Sequence, residues 1–312
     1  MKEKKILVII RMKRYIIRKI KTKRKDKYTH KYTDKKGKSI KKPKLDFYIA
    51  PGYDDVKINL NSNAKVLAIG YDDKNRPQYI YNKNQIKKRS NNKFKHLINF
   101  GKNYNKIMKK INTDLKLNDS INKEIAMILK IIIDCNFRIG NDKYTRDNNS
   151  YGVTTLQKKH IKLDKNNMII DFIGKKGVRN KCMIKNVIVK NNLKTKKNKL
   201  KNNDNIFSHK SHQIKSNDVN EYLKELGNYT TKNFRTWGAN IELIQLLLKN
   251  DDLNTCIDKV ANKLHHTPSI CKKNYIDPKL IEFYMKDKEK FKKYFKNNIH
   301  KQFTSFLINN YI

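Results

Sequence analysis

The sequence predicts an α+β protein in which a small N-terminal antiparallel β-sheet domain precedes a larger, mostly α-helical domain with a small β-meander. Two patterns support this prediction. Short runs of β-type residues separated by turn residues occupy the region from Phe47 to Tyr81, whereas apolar residues at helical spacing dominate much of the chain beyond residue 94. A chain of 312 residues, 38% of them hydrophobic, is long enough to form a core in each of two domains.

The smaller domain is predicted over residues 45–85. Its strand-like runs are separated by turn signals and lie at residues 56–60, 66–69 and 78–81. Residues 1–44 are rich in Lys and Arg and have little apolar periodicity, which predicts a solvated basic arm, either disordered or tracking a polyanion. Residues 86–93 are polar and basic, and we expect them to form a linker.

The larger domain is predicted over residues 94–312. Ser120 precedes apolar residues at helical spacing and is the expected N-cap of a core-facing helix. A meander follows, with strand-like stretches at residues 153–156, 160–163, 168–173 and 182–188. Residues 190–205 are low in complexity and predict an exposed loop. The remainder is predicted to be helical, with one buried stripe formed by Ile241, Ile244, Leu247 and Leu248.

The charge of the chain indicates a polyanionic partner. Its 73 Lys and Arg residues against 28 Asp and Glu residues give a formal net charge of +45, and nucleic acid is the leading candidate. A membrane surface is a weaker candidate because the sequence has no apolar run of about 18 residues. The apolar run at residues 6–10 is too short for a secretory signal, so export is not expected.

The cysteines predict neither a metal site nor a disulfide framework. Cys135, Cys182, Cys256 and Cys271 are scattered, without the paired spacing of either arrangement, and are interpreted as reduced thiols. The sequence also lacks a P-loop, so no nucleotide cofactor is expected.

Five short stretches place cationic or nucleophilic residues at the ends of predicted elements. Each is ordinary by itself, since an Arg after a helix or a Lys in a turn is usually solvated. Their order is more specific: Arg, a turn Lys, a second Arg in K-x-x-R, then His-Thr-Pro-Ser and a Tyr nine residues after the histidine. The stretches are Phe137-Arg-Ile-Gly140, Ile173-Gly-Lys-Lys-Gly177, Lys232-Asn-Phe-Arg-Thr236, His265-His-Thr-Pro-Ser269 and Tyr275.

This order resembles the active-site signature of type IB DNA topoisomerases, especially the small poxvirus-type and bacterial enzymes. Residues 70–81, GYDDKNRPQYIY, are similar to the G-x-D-x-K-G-R-x-Q-Y-x-Y segment of those enzymes. Asn75 replaces a Gly of that segment, which is acceptable because Asn also adopts positive φ. The resemblance runs from about Ile49 to Tyr275. It implies a catalytic domain with the fold that type IB topoisomerases share with tyrosine recombinases. It also implies that the two domains form a clamp around duplex DNA, as they do in these topoisomerases.

The resemblance implies that Tyr275 attacks a DNA phosphodiester with help from Arg138, Lys175, Arg235 and His266. The residue types suit that chemistry, because the transition state concentrates charge on nonbridging oxygens that arginine forks and a histidine N–H can stabilise. Positive charge also favours the phenolate of a tyrosine, whose ordinary pKa is about 10. The lysine would protonate the departing 5′ oxygen as a general acid.

Two register choices stay open. Lys176 is the alternative to Lys175, although the Phe-Ile-Gly-Lys stretch favours Lys175. His265 is the alternative to His266, although the nine-residue step to Tyr275 favours His266.

The resemblance also implies DNA contacts outside the catalytic cluster. An amide can bond base edges and phenols can reach phosphates. For the alternating tyrosines of the last predicted strand, an equal alternative is that they form one face of a half-buried strand. The implied DNA-contacting residues are Gln78, Tyr79, Tyr81, Tyr144 and Thr155.

The activity implied is relaxation of supercoiled double-stranded DNA through a transient 3′-phosphotyrosyl break, without ATP, metal or any other cofactor. The resemblance also implies a monomer in a virion or viral replication compartment, with the nucleus or bacterial cytoplasm as alternatives. A tyrosine recombinase or integrase shares the five residues, but Lys232 stands where recombinases usually have His. A non-enzymatic basic DNA-packaging protein is a further alternative and predicts no covalent adduct.

Overall fold

The structure is a computed structural model that describes residues 15–24, 27–165, 167–249 and 252–312. The chain forms two compact units, Met1–Lys93 and Phe94–Ile312. Small antiparallel sheets and many helices confirm the predicted α+β class. Among the described helices, none is long and apolar enough to cross a membrane.

The first unit contains, in its described part, a six-stranded antiparallel sheet with the order β3-β2-β1-β4-β5-β6. The three strands predicted from the sequence are confirmed and correspond to β4, β5 and β6. The strands are β1 (Tyr15–Arg24), β2 (Lys27–Thr33), β3 (Ser39–Ile40), β4 (Asp54–Asn59), β5 (Val66–Tyr71) and β6 (Pro77–Tyr81). Asn75, in the turn before β6, has a φ of +54°, as expected for Asn in place of Gly.

The prediction of a solvated basic arm is wrong for most of residues 15–44. Strand β1 pairs with both β2 and β4, so this segment extends the sheet. Tyr32 and Ile40 also pack against the core of Val56, Ile58 and Ala68. A backbone ladder needs no apolar alternation, and the Tyr, Thr and Ile residues among the lysines favour extended backbone. The apolar run at residues 6–10 lies outside the described residues.

The predicted linker at residues 86–93 is helical. Helix α1 (Lys83–Asp114) runs through it, and its first ten residues are mostly exposed. A helix without a buried face shows no apolar period, which is why the sequence pattern suggested a linker. From Phe94 onward, the helix buries side chains such as Leu97 and Phe100 in the core of the second unit.

The second unit is mostly helical and includes a three-stranded meander. Ser120 caps the first helix after α1, with its Oγ accepting a hydrogen bond from the Asn122 N–H at 3.2 Å, as predicted. The helices are α2 (Ile121–Cys135), α3 (Asp142–Asn148), α4 (Val187–Lys199), α5 (Ser216–Glu225), α6 (Thr231–Leu247), α7 (Leu253–Lys263), α8 (Pro268–Asn274), α9 (Pro278–Lys286), α10 (Lys288–Tyr294) and α11 (Ile299–Tyr311). The meander strands are β7 (Ile161–Asp164), β8 (Asn167–Ile173) and β9 (Arg179–Met183), and β10 (Ser208–His209) pairs with β11 (His212–Gln213).

Three local predictions in this unit are wrong. The strand predicted at residues 182–188 ends at Met183, because β9 covers Arg179–Met183 and helix α4 begins at Val187. The segment predicted as a loop at residues 190–205 begins inside helix α4, which buries Val189 and Leu193 despite its lysine-rich sequence. The stretch at residues 153–156 forms a 3-10 turn, Val153–Thr155, in place of a strand. In α4 a few buried side chains decide the conformation, and the polar residues around them hide the apolar period. In the stretch at residues 153–156 all four residues are buried, so burial alone could not tell a turn from a strand.

Two cysteines predicted to be reduced thiols form a disulfide. Cys135, at the end of α2, is bonded to Cys182 in β9, 47 residues away in sequence. This correction could not come from spacing, because the meander brings the two residues together through tertiary structure. Cys256 and Cys271 are thiols and are buried.

Candidate active site

Arg138 lies in a tight loop directly after α2. The helix ends at Asn136, which has a φ of +54°, and the Val153 N–H donates to the Arg138 carbonyl at 2.9 Å. Gly140 and Gly152 allow the loop and the following turn to touch. A Cβ added to Gly152 would lie 2.4 Å from the Gly140 Cα, so the position of Arg138 depends on glycine there.

Lys175 lies in the turn between β8 and β9. The Gly174 N–H donates to the Val178 carbonyl at 2.7 Å, and the turn includes Lys176 with a φ of +65°. The side chains of both lysines are exposed and line the same cavity. The charge of Lys175, and not that of Lys176, is among the causes that lower the pKa of His266. This electrostatic proximity favours Lys175 of the two.

Arg235 is buried in the first turn of α6, with 4% of its surface exposed. Its Nη2 donates to the Leu264 carbonyl at 3.1 Å, while Nε and Nη1 have no hydrogen-bond partner in the described part of the chain. Burial lowers the pKa of Arg235 to about 10, so the group stays charged near neutral pH. Unsatisfied buried N–H groups are costly, and an anion would satisfy them.

The two histidines occupy different positions in the turn after α7. His265 has a φ of +56°, and the His266 N–H donates to the Ala261 carbonyl at 2.9 Å, which is the hydrogen bond of a Schellman C-cap. The centre of the His265 ring lies 5.2 Å from the centre of the ring of Phe137, which is a buried core residue. The His266 ring instead lies 5.1 Å from the ring of Tyr275.

Tyr275 follows the short helix α8, which accounts for the nine-residue step from His266. Thr267 caps this helix and Pro268 occupies its first position. The Tyr275 carbonyl accepts a hydrogen bond from Asn240 Nδ2 at 2.9 Å, and Asn240 Oδ1 accepts one from the Asp277 N–H at 2.8 Å. The buried Asn240 on α6 therefore fixes the backbone on both sides of Ile276.

His266 connects Arg138 and Tyr275. Its Nε2 lies 2.6 Å from Arg138 Nη2 and 3.1 Å from Tyr275 Oη. Because a guanidinium can only donate, Nε2 accepts this hydrogen bond and the ring hydrogen belongs on Nδ1. Burial, followed by the charge of Arg138, lowers the pKa of His266 to about 4, so the ring is neutral at physiological pH. The Arg235 guanidinium carbon lies 5.3 Å from the centre of the Tyr275 ring.

Arg138, His266 and Tyr275 border a cavity of about 970 Å³. Five cations line it and, among the described residues, no carboxylate does. Such a cavity attracts an anion and stabilises charge that develops inside it. Its lining consists of Arg138, Lys175, Lys176, Val178, Arg179, Lys232, Asn262, His265, His266, Thr267, Ile270, Asn274 and Tyr275. In the described part of the chain, no group of three or more His, Cys, Asp or Glu residues could hold a metal ion.

The residues expected to contact DNA outside this cluster lie in varied surroundings. Tyr79 and Tyr81 are partly buried on one face of β6 and stack with ring centres 6.0 Å apart, while Gln78 donates to Asp72. Tyr144, on α3, is 58% exposed. Thr155 is 3% exposed, and its hydroxyl exchanges hydrogen bonds with the backbone of Gly152, so it presents no surface to a duplex in this conformation.

Sequence reasoning missed two contributors to the site. Asn240 is a polar residue in a buried helix stripe, and that mismatch was the available signal for a buried hydrogen-bonding role. Arg179 lines the cavity and begins β9, directly after the turn that contains Lys175. Its partner Asp171 lies on the neighbouring strand, so the pair could be identified only from the register of the two strands.

Comparison with known proteins agrees with this fold. The sequence model of the family "Eukaryotic DNA topoisomerase I, catalytic core" matches residues 82–303. The chain therefore belongs to this family and is a type IB DNA topoisomerase. It is 31% identical to the DNA topoisomerase 1B of Acanthamoeba polyphaga mimivirus over 266 residues, covering 78% of this chain and 79% of that protein. It is 26% identical to the DNA topoisomerase I of Monkeypox virus over 241 residues, covering 72% and 74%.

Proposed function

We propose that this enzyme relaxes supercoiled double-stranded DNA by reversible cleavage of one strand, with Tyr275 as the nucleophile. The observation that carries the proposal is the contact of His266 Nε2 with both Arg138 Nη2, at 2.6 Å, and Tyr275 Oη, at 3.1 Å. The Tyr275 hydroxyl contacts a neutral ring that is bonded to one guanidinium, and a second guanidinium lies 5.3 Å from the centre of the tyrosine ring, an arrangement suited to attack on an anionic phosphodiester.

Arg138 and Arg235 stabilise the transition state. Arg235 Nε and Nη1, which lack partners among the described residues, donate to a nonbridging phosphate oxygen. Because the guanidinium is almost fully buried, it needs little reorganisation during the reaction.

The bond changes balance without a co-reactant. The Tyr275 oxygen forms a bond to phosphorus, the bond to the 5′ oxygen breaks, and Lys175 gives that oxygen a proton while the phenolic proton passes to solvent. The 3′-phosphotyrosyl ester retains the energy of the broken bond, so the 5′ hydroxyl can reverse the step after the duplex has rotated. ATP and metal have no step to perform in this scheme.

His266 acts as a neutral ring. In the structure, its Nε2 accepts a hydrogen bond from Arg138, whereas donation to a nonbridging oxygen requires the hydrogen on Nε2. We propose that the phosphate displaces His266 as the acceptor for Arg138 and that the ring then changes tautomer to donate to the phosphate. This change requires no net protonation, in keeping with its lowered pKa.

The proposal includes further duplex contacts by Gln78, Tyr79, Tyr81 and Tyr144, of which Tyr144 is the most exposed. Thr155 would join them only if its turn opened, since its hydroxyl bonds Gly152. We propose that the enzyme works as a monomer in a virion or viral replication compartment, on the basis of its viral relatives.

The test is relaxation of negatively supercoiled plasmid in EDTA without ATP, comparing the wild-type enzyme with Tyr275→Phe. Tyr294→Phe is the matched control, because among the described residues its hydroxyl bonds only the Gln302 carbonyl, at a long 3.4 Å, and the side chain does not line the cavity. We expect the wild type and the control to relax the plasmid and to form a covalent complex, and Tyr275→Phe to do neither.

Other outcomes would overturn the proposal. Binding without relaxation or covalent trapping would support DNA packaging. Joining of two specific sites without stepwise relaxation would support a recombinase.

A further inference from the structure

Three of the five cations that line the active-site cavity have no role in the scheme above, and one of these three, Arg179, is held in a fixed orientation. Arg179 begins β9, just after the turn that carries Lys175. Its Nε donates to Asp171 Oδ1 at 2.8 Å and its Nη2 donates to Asp171 Oδ2 at 2.7 Å, which forms a bidentate ion pair. The Arg179 side chain is nevertheless 62% exposed and lines the cavity.

Asp171 is the buried half of this arrangement. It lies in β8 with 8% of its surface exposed and also accepts a hydrogen bond from Lys162 Nζ of β7 at 2.8 Å. One carboxylate with two cations leaves a net charge of +1. The hydrogen bonds from Arg179 hold the pKa of Asp171 far below its ordinary value, and they raise the pKa of Arg179. Both groups therefore stay charged at any working pH.

The geometry leaves donors on Arg179 for a ligand. A guanidinium has five N–H groups in a fixed plane, and Asp171 accepts two of them. The remaining three have no hydrogen-bond partner within the described ranges of the chain. The bidentate pair with Asp171 already fixes the plane of the guanidinium. The Arg179 side chain therefore loses little conformational entropy when its remaining N–H groups bind an anion.

We propose that Arg179 is a DNA-binding residue that contacts a backbone phosphate beside the scissile one, and that Asp171 is the positioning residue that orients it. This inference rests on the proposed function, since it takes the cavity to be the place where DNA is cleaved. Arg179 is assigned to a flanking phosphate because its bonds to Asp171 hold it on the strand, whereas Arg138 and Arg235 are next to Tyr275.

Lys162 provides a matched control. It bonds the same carboxylate at the same distance of 2.8 Å and carries the same charge, but it does not line the cavity. Arg179→Ala and Lys162→Ala therefore each remove one cation and one ion pair of Asp171. The cavity loses a donor only in Arg179→Ala.

The experiment measures equilibrium binding of a duplex at several salt concentrations, and single-turnover cleavage at saturating DNA. For Arg179→Ala we expect affinity to fall about tenfold and the slope of log K against log salt to decrease by about one, as for loss of one phosphate contact. Cleavage at saturating DNA should change less than about threefold. Lys162→Ala should retain the wild-type slope. Asp171→Asn should weaken DNA binding, because Arg179 is no longer held in its orientation. The slope of log K against log salt should fall by less than one, because the positive charge of Arg179 remains.

Equal slopes and affinities for Arg179→Ala and Lys162→Ala would overturn the inference. If Arg179→Ala unfolds, Arg179→Lys decides the question, because it keeps the charge but not the bidentate fork, and we expect it to recover the slope but not the full affinity. The binding comparison does not depend on cleavage. A wild-type enzyme that binds but never relaxes plasmid would contradict the proposed function and leave the result for Arg179 valid as a statement about DNA binding.

Discussion

The Nε2 atom of His266 lies 3.1 Å from the hydroxyl oxygen of Tyr275. The same nitrogen accepts a hydrogen bond from Arg138, and burial lowers the pKa of the ring to about 4. The hydroxyl is thus held by a ring that is neutral, while the positive charge beside it comes from arginine. This distinction between a neutral and a charged histidine has a measurable consequence.

We expect single-turnover cleavage to show no inflection near pH 6.5, the ordinary pKa of histidine, because His266 stays neutral down to about pH 4. His266→Asn should slow cleavage by about a hundredfold through loss of a contact at the reacting group. His265→Asn is the matched control and should slow it far less, because the His265 ring faces Phe137. A rate step near pH 6.5 that disappears in His266→Asn would show that the charged ring is the active form.

Asn240→Ala is expected to displace Tyr275. The change leaves the Tyr275 carbonyl and the Asp277 N–H without their partner, which should cost about 2 to 4 kcal/mol of unfolding free energy. Misplacement of the proposed nucleophile should also lower the cleavage rate at saturating DNA by at least about tenfold. Denaturant unfolding and single-turnover cleavage measure the two effects, with Asn254→Ala on the exposed face of α7 as control. A variant that loses stability but cleaves at the wild-type rate would refute the positioning role.

The Cys135–Cys182 disulfide is expected to stabilise the second unit. Closing a loop with a sequence separation of 47 residues should contribute about 4 kcal/mol by restricting the unfolded chain. A non-thiol reductant should therefore lower the midpoint of denaturant unfolding of the wild type and have no effect on the double variant Cys135→Ser, Cys182→Ser. Insensitivity of the wild type would mean that the bond contributes nothing to stability.

His160 is expected to make stability depend on pH. Burial lowers its pKa from 6.5 to about 4, and its Nδ1 accepts a hydrogen bond from the Gln157 N–H. Because the folded value lies below the unfolded one, the unfolded chain binds the proton more readily, and stability falls as pH drops from about 6.5 toward about 4. The measurement is the difference in unfolding free energy between pH 7 and pH 5. We expect this difference to be smaller by about 1 to 2 kcal/mol in His160→Gln than in the wild type.

Several fold errors share one cause. The helical segment at residues 86–93 and helix α4 are rich in Lys and Asn, and they show little apolar period because few of their side chains are buried. The strands within residues 15–40 are also rich in Lys and are defined by backbone pairing. Pattern analysis detects a buried face, so it identified the sheet strands at Val56 and beyond and the helix after Ser120. The apolar pattern could not reveal strands that are defined by backbone pairing, nor solvent-exposed helices that depend on the intrinsic helix propensity of their residues.

The sequence by itself determined the class of this protein, through the order Arg138, Lys175, Arg235, His266 and Tyr275 and the turn chemistry around them. These signals are readable because glycines, caps and the step between a histidine and a tyrosine are local properties of the chain. Tertiary structure alone decided which side chains meet. The disulfide, the link from Asn240 to Tyr275 and the pair of Asp171 with Arg179 each join residues on different elements, and contact between elements depends on packing and register. Tyr275 is thus identifiable from sequence, whereas the network that positions it is a property of the folded chain.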